Sequence, residues 1–179
     1  MKRYILTGTP GSGKTSILRS LEVAGYLVVE EAATDIIALR QAQGIAEPHT
    51  RPAFIDDITN LQKHRQMRVA DSGVQFYDRS PLCTYALSVF LGFPISTTLA
   101  DEMARIKKEQ IYQKQVFFIE NLGFCEPTAA RKITFEDSLR FEKVHEETYN
   151  SFGYECIRVA PQRLSARMEQ ITRFVSASG

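Results

Sequence analysis

The stretch Gly8-Thr9-Pro10-Gly11-Ser12-Gly13-Lys14-Thr15 constrains this chain more than any other, because it satisfies G-x-x-x-x-G-K-[ST] at every fixed position. Its flanks fit the same reading. Tyr4-Ile5-Leu6 is short, apolar and strand-forming, and Ile17, Leu18, Leu21 and Ala24 follow at helical spacing. The expected order is strand, glycine-rich loop, helix. Glycines at 8, 11 and 13 turn backbone N–H groups inward around a phosphate, and the start of the helix adds its unpaired N–H groups and positive end. Lys14 is expected to reach the β- and γ-phosphates, Thr15 to ligate Mg²⁺, and Ser16 to bond a phosphate oxygen. Residues Gly8 to Ser16 are therefore the expected contacts of a nucleoside triphosphate.

The rest of the composition sets bounds. A chain of 179 residues suits one domain, 1–179, and a formal charge of +1 gives no global reason to expect nucleic acid or an anionic membrane as partner. Cys83, Cys125 and Cys156 are odd in number, far apart and without a CxxC pair. They read as reduced thiols of a cytoplasmic protein, not a disulfide framework or a zinc site. Met1-Lys2-Arg3 runs straight into the first expected strand, leaving no room for a signal peptide. The longest apolar stretch, Pro81 to Ile95, is too short for a bilayer and is broken by Gly92 and Pro94, so it is expected to be a buried helix and turn.

Further strands are expected at Tyr26–Val29, Val74–Tyr77, Val116–Ile119 and Tyr154–Val159, with Val116–Ile119 apolar enough to be buried on both faces. Helical patterns alternate with them. One follows Glu30-Glu31 through Ile36, Ile37 and Leu39. After a proline-containing loop, a second runs from Phe54 to about Ala70, and it reads as polar and solvent-facing, carrying Arg65 and Arg68. Ser80-Pro81 reads as an N-cap and first helical residue, and Thr98 with Asp101 and Thr134 with Asp137 read as further helix starts. In the last of these, Phe141, Val144, His145, Thr148, Tyr149 and Phe152 share one face, and Leu164, Met168, Ile171, Phe174 and Val175 mark a final amphipathic helix. Alternating strands and helices imply an α/β fold with a five-stranded parallel sheet covered on both faces. Ligands of such sheets bind at the carboxyl ends of the strands, where the glycine loop, Glu30-Glu31, Asp78-Arg79 and Glu120 all fall.

Asp78 is placed to hold Mg²⁺ or accept a proton, and Arg79 to clamp a phosphoryl oxygen or the acceptor. The bland alternative is a turn residue before the Ser80 cap, with a solvated arginine beside it. Neighbouring residues at a strand end point opposite ways, so one of Glu30 and Glu31 is expected to face the site. The reading leans to Glu31 contacting the acceptor, with Asp35 as substitute. Arg131, Lys132 and Arg140 read either as cations of a flap closing over phosphates or as a solvated helical face. His49, His64 and His145 share no metal spacing, and His145 reads as a packing residue. Phe54 and Tyr85 are placed to stack on a ring or to fill core.

Taken together, the glycine loop, Val28-Val29-Glu30-Glu31-Ala32-Ala33, Asp78-Arg79 and Gly153-Tyr154 to Val159-Ala160-Pro161 resemble the small bacterial AAA-domain P-loop proteins. That family is related to the ribosylnicotinamide kinase domain and, more distantly, to nucleoside and nucleotide kinases. Phe54 with Gln62, and Tyr85 after Asp78-Arg79, fit the same pattern. The resemblance covers nearly the whole chain and implies a P-loop NTPase three-layer sandwich of the nucleoside/nucleotide-kinase type. It also implies an acceptor-gripping insert at 32–73 and a lid at 127–140. One departure is that Ala129-Ala130 stand before Arg131 where an acidic residue and a glycine are expected. An unfolding motor would need an Asp-Glu pair closing an apolar strand, and the chain offers only Phe117-Phe118-Ile119-Glu120-Asn121. The functional expectation is an ATP- and Mg²⁺-dependent kinase acting on a small nucleoside-like or other hydroxyl acceptor. A nucleoside triphosphatase working with a partner, with Glu120 or Glu31 positioning water, and a nucleotide-sensing module are the alternatives.

Overall fold

The structure is a computed structural model and describes residues 1–122 and 134–177. Its strands are β1 (Lys2–Thr7), β2 (Leu27–Val29), β3 (Val74–Asp78), β4 (Gln115–Ile119) and β5 (Glu155–Val159). All pair in parallel in the order β2-β3-β1-β4-β5. The chain works outward from β1 to β2 on one side and then crosses to β4 on the other. The carboxyl end of β1 is thus the point where connections diverge and open a crevice.

Side-chain alternation splits the core into two layers. Tyr4 and Leu6 face α1 (Lys14–Val23) and α7 (Leu164–Ala177), packing with Ile17, Leu18, Leu21, Ile171 and Val175. Ile5 faces the other side, where α3 (Ala53–Arg68), α4 (Pro81–Phe90), α5 (Thr97–Glu109) and α6 (Phe135–Ser151) supply Ile55, Leu82, Leu99, Met103 and Tyr149. A smaller cluster joins α2 (Ala33–Ala42) to α3 through Ile36, Ile37, Phe54 and Ile58. The expected three-layer α/β sandwich is what the chain forms. Val116 to Ile119 are fully buried, as their continuous apolar run requires.

Local expectations fail where side chains have better partners than the cap or the solvent. Helix α3 is not solvent-facing, because Phe54, Ile55, Ile58, Thr59, Gln62 and Gln66 are buried between α2, α4 and α5. Polar residues such as Gln62, bonded by Thr84, disguise that face in the sequence. Ser80 stands at the N-cap of α4 with Pro81 as the first helical residue, as expected, but its side chain makes no cap bond; its hydroxyl lies 3.1 Å from the Tyr149 hydroxyl. Helix α5 starts at Ser96, whose Oγ accepts from the Leu99 amide, so Thr98 lies inside the helix. The α6 cap is as expected, with Thr134 Oγ1 accepting from the Asp137 amide at 3.0 Å.

Candidate functional site

The loop between β1 and α1 is folded tightly against the sheet. Gly8 has φ 131°, and a Cβ on it would stand 2.2 Å from the Ile119 carbonyl oxygen at the end of β4. Only glycine lets the loop leave β1 at that distance. The ammonium of Lys14 curls over the loop and donates to the Gly8 and Thr9 carbonyls at 3.0 and 2.6 Å, and to Ser12 Oγ at 3.2 Å. Around it opens a cavity of about 210 Å³ lined by Gly11, Gly13, Lys14, Thr15, Ser16, Glu31 and Asp78. Sequence-predicted groups from three segments thus share one wall. Thr9, expected to touch nucleotide, is buried, with its hydroxyl accepting from Asn121 Nδ2. Pro10 faces a neighbouring cavity.

Thr15 Oγ1 donates to Asp78 Oδ2 across 3.5 Å at the edge of this cradle. A hydroxyl and a carboxylate facing each other beside a phosphate-sized hollow form the donor set that a hard divalent cation takes. The residues present therefore fit Mg²⁺, and Thr15 and Asp78 are the ones that would hold it. Among the described residues, no group of three or more His, Cys, Asp or Glu side chains is gathered for a metal.

The neighbouring cavity holds about 270 Å³. Its walls come from α2 and α3 (Ile37, Phe54, Ile58, Gln62), α4 (Cys83, Thr84, Leu87, Phe90) and α6 (Asp137, Phe141). Part of this wall belongs to the 32–73 segment expected to grip an acceptor. Glu31 lines both cavities, so this one residue borders the cradle and the apolar chamber alike.

Arg79 fixes that carboxylate. Its Nε donates to Glu31 Oε1 at 2.8 Å, and its Nη1 lies 3.4 Å from His145 Nε2. Burial disfavours the Arg79 cation, but Glu31, with Asp78 close by, more than offsets it, and the arginine's pKa is raised. His145 Nδ1 lies 2.9 Å from the Phe141 carbonyl, so the neutral ring donates there and presents Nε2 as acceptor to Arg79. Burial and then the Arg79 charge push the His145 pKa down to about 3. A residue expected to be only packing is therefore also a prop for Arg79. Its signal in the sequence was faint: one imidazole on an apolar helical face.

Other candidates fall elsewhere. Glu30 points away from the cavities and pairs with Arg19, and Asp35 pairs with Arg65. Arg65 also donates to the Glu30 and Glu31 carbonyls, at 3.0 and 2.6 Å, and so pins the end of β2. The sequence reading missed that role because it set Arg65 in solvent. Glu120 accepts from Arg158 Nη1 at 3.1 Å, toward β5 and not toward the cradle. Tyr85 packs edge-on against Phe152 in the core and does not line the chamber, whereas Phe54 does. Arg140 is exposed, 3.4 Å from Asp137 Oδ1, with its guanidinium 5.9 Å from the Phe90 ring centre at the chamber's rim. Arg131 and Lys132, with the first half of the expected lid, lie outside the described residues.

Comparison with known proteins supplies the frame for this geometry. A search of curated protein sequences returned no match. Among solved structures, deoxyadenosine kinase from M. mycoides with bound dATP is similar at TM-score 0.62 and 14% identity, over 98% of this chain and 100% of that one. NadR protein in complex with NAD and AMP-PNP is similar at TM-score 0.71 and 14% identity, over 98% of this chain and 49% of that one, so the chain spans about half of NadR. Shikimate kinase from Acinetobacter baumannii in complex with shikimate is similar at TM-score 0.58 and 13% identity, over 99% and 94% of the two chains. At these identities the likeness is one of fold, that of P-loop kinases. The family model described as "AAA domain" matches residues 3–167, and the chain belongs to that family.

Proposed function

We propose that this protein is an ATP-dependent phosphotransferase whose acceptor is a small hydroxyl compound with a flat or apolar body, of the nucleoside type. The observation that carries the reading is the position of Glu31, a residue that lines both the phosphate cradle and the apolar chamber. A hydrolase needs a water site beside the cradle, whereas an apolar chamber bordered by the same acidic residue as the cradle suits a second substrate.

In this reading the loop amides and Lys14 bind the triphosphate, with its γ-phosphoryl group toward Glu31. Bound Mg²⁺, held by Thr15 and Asp78, supplies neutralisation of phosphate charge. The acceptor's hydroxyl lies against Glu31, which takes its proton as the oxygen bonds to the γ-phosphorus and the bond from that phosphorus to the β–γ bridging oxygen breaks, releasing ADP. Arg79 holds Glu31 in place by its Nε and keeps positive charge next to the transferring group. The acceptor's ring body rests among Ile37, Phe54, Ile58 and Phe141, with Gln62 and Thr84 as the polar pair at the chamber's inner wall. Segment 32–73 serves as the acceptor grip, and Arg140 with Arg131 serves as lid cation.

The likeness to deoxyadenosine kinase and shikimate kinase supports a kinase-type reaction at the level of fold. The hydrolase alternative keeps Glu31 as its water-positioning group, since Glu120 is bonded by Arg158 and lines neither the cradle nor the chamber. The test is ADP formation from ATP with and without a panel of nucleosides and other hydroxyl compounds. The proposal expects turnover that rises at least about tenfold with one acceptor class and yields a phosphorylated product in equal amount. Steady phosphate release that no acceptor changes would overturn it in favour of a triphosphatase.

A further inference from the structure

Behind the phosphate loop, on the side away from the apolar chamber, lies a cation that the proposed chemistry has not yet used. Arg167 in the first turns of α7 is 4% exposed. Its Nη2 donates to the Ser12 carbonyl at 2.7 Å, and its Nη1 lies 3.0 Å from where a Cβ on Gly13 would stand. Its Nε is buried with no hydrogen-bond partner among the described residues. Nor does any carboxylate among those residues form an ion pair with it, and burial alone pushes its pKa down.

A buried guanidinium without a counter-charge costs the unliganded fold stability. Anchoring α7 does not require it, since Ile171 and Val175 already bury the helix against β1 and α1. An apolar side chain at 167 would serve that purpose at lower cost. What the arginine adds is orientation. The described backbone has no cis peptide bond, so the Ser12 carbonyl and the Gly13 N–H point in opposite directions across one planar unit. Holding that carbonyl behind the loop aims the Gly13 N–H at the cradle, which Gly13 lines. The positive φ of Gly13, 82°, is the conformation in which this peptide is held.

We infer that Arg167 is a positioning residue for the polyphosphate: it fixes the Ser12–Gly13 peptide with its N–H toward the cradle, and its unbalanced charge is compensated when the anion binds. This rests on the reading of the cradle as a triphosphate site. It assigns the final helix, remote in sequence from the motif, a part in binding.

The test titrates AMP-PNP and, separately, inorganic tripolyphosphate into the wild type, R167M and R167K, and records the thermal midpoint of each without ligand. Methionine keeps the length of the side chain and removes every donor. The expected result is affinity for both anions lowered at least about tenfold in R167M, with R167K between. The unliganded midpoint of R167M should equal or exceed that of the wild type. In an isotope-labelled sample the Gly13 amide resonance should shift on adding tripolyphosphate to the wild type, and shift less in R167M. Unchanged affinity in R167M would overturn the inference. So would weakened affinity accompanied by a lower unliganded midpoint and an unaltered Gly13 shift, which would mark a structural anchor. A wild type that binds neither anion would overturn the triphosphate reading as well, so the two failures are distinguishable.

Discussion

The Nε of Arg79 donates to the Glu31 carboxylate at 2.8 Å, with the two side chains 9% and 15% exposed. This bond ties the end of β3 to the segment just past β2, at the residue that lines both cradle and chamber. Arg79 holds it from a left-handed backbone, φ 70°, that a non-glycine residue adopts at a cost of roughly 1–3 kcal/mol. Its own N–H donates to the Leu6 carbonyl at 3.0 Å, which helps hold that conformation. That conformation places the guanidinium between Glu31 and His145.

Arg79→Lys tests that placement. An ammonium carries the charge but not the planar fork, so it cannot meet Glu31 and His145 from the same position. The expected outcome is kcat reduced at least about 100-fold, with the dissociation constant for AMP-PNP within about threefold of the wild type. Steady-state kinetics and a binding titration check the pair. Equal loss of both would make Arg79 part of the cradle's support.

Gly8→Ala tests the packing of the loop. The new methyl would meet the Ile119 carbonyl oxygen at 2.2 Å, on top of a φ of 131°. Destabilisation of about 1–3 kcal/mol beyond that of Gly25→Ala is expected. Gly25 is the control because its φ is also positive, 90°, yet nothing lies within 4 Å of its would-be Cβ. Urea denaturation of the two variants measures the difference.

His145 makes stability depend on acidity. Its pKa falls from 6.5 to about 3 in the fold, through burial and the facing charges of Arg79 and, more weakly, Lys14. The unfolded chain therefore takes up a proton below pH 6.5 that the native state refuses until about pH 3. Stability is complete above that range and falls as pH drops through it, by up to about 1.4 kcal/mol per pH unit. His145→Gln removes this contribution. Between pH 6.5 and 5, before most carboxylates titrate, the wild type should lose stability faster than the variant. Parallel curves would contradict the burial of a neutral imidazole.

The fold was legible because its signals are local. Alternating apolar runs mark the strands, and the glycine loop identifies the first crossover. The cradle was legible for the same reason, since Gly11 to Ser16 lie together in the chain and in space. Long-range pairings were not. Nothing in the sequence links Arg65 to the Glu31 carbonyl, His145 to Arg79 or Arg167 to Ser12, because each contact depends on how helices lie across the sheet. Helix α3 misled because its buried face carries Gln62 and Gln66, whose amides are bonded by Thr84 and Arg105. The capping signals were legible only in part: Thr134 bonds both the amide and the carboxylate of Asp137 in its own first turn, while the Ser80 hydroxyl lies against Tyr149 instead.

The central claim is that Glu31 takes the proton of an acceptor lying in the apolar chamber. Glu31→Gln, which keeps the shape and removes the base, tests it most directly in single-turnover transfer to whichever acceptor stimulates ADP formation. The account predicts transfer slowed by about 10²–10⁴-fold, with AMP-PNP and acceptor affinities largely preserved. A glutamine variant that transfers at the wild-type rate would contradict it.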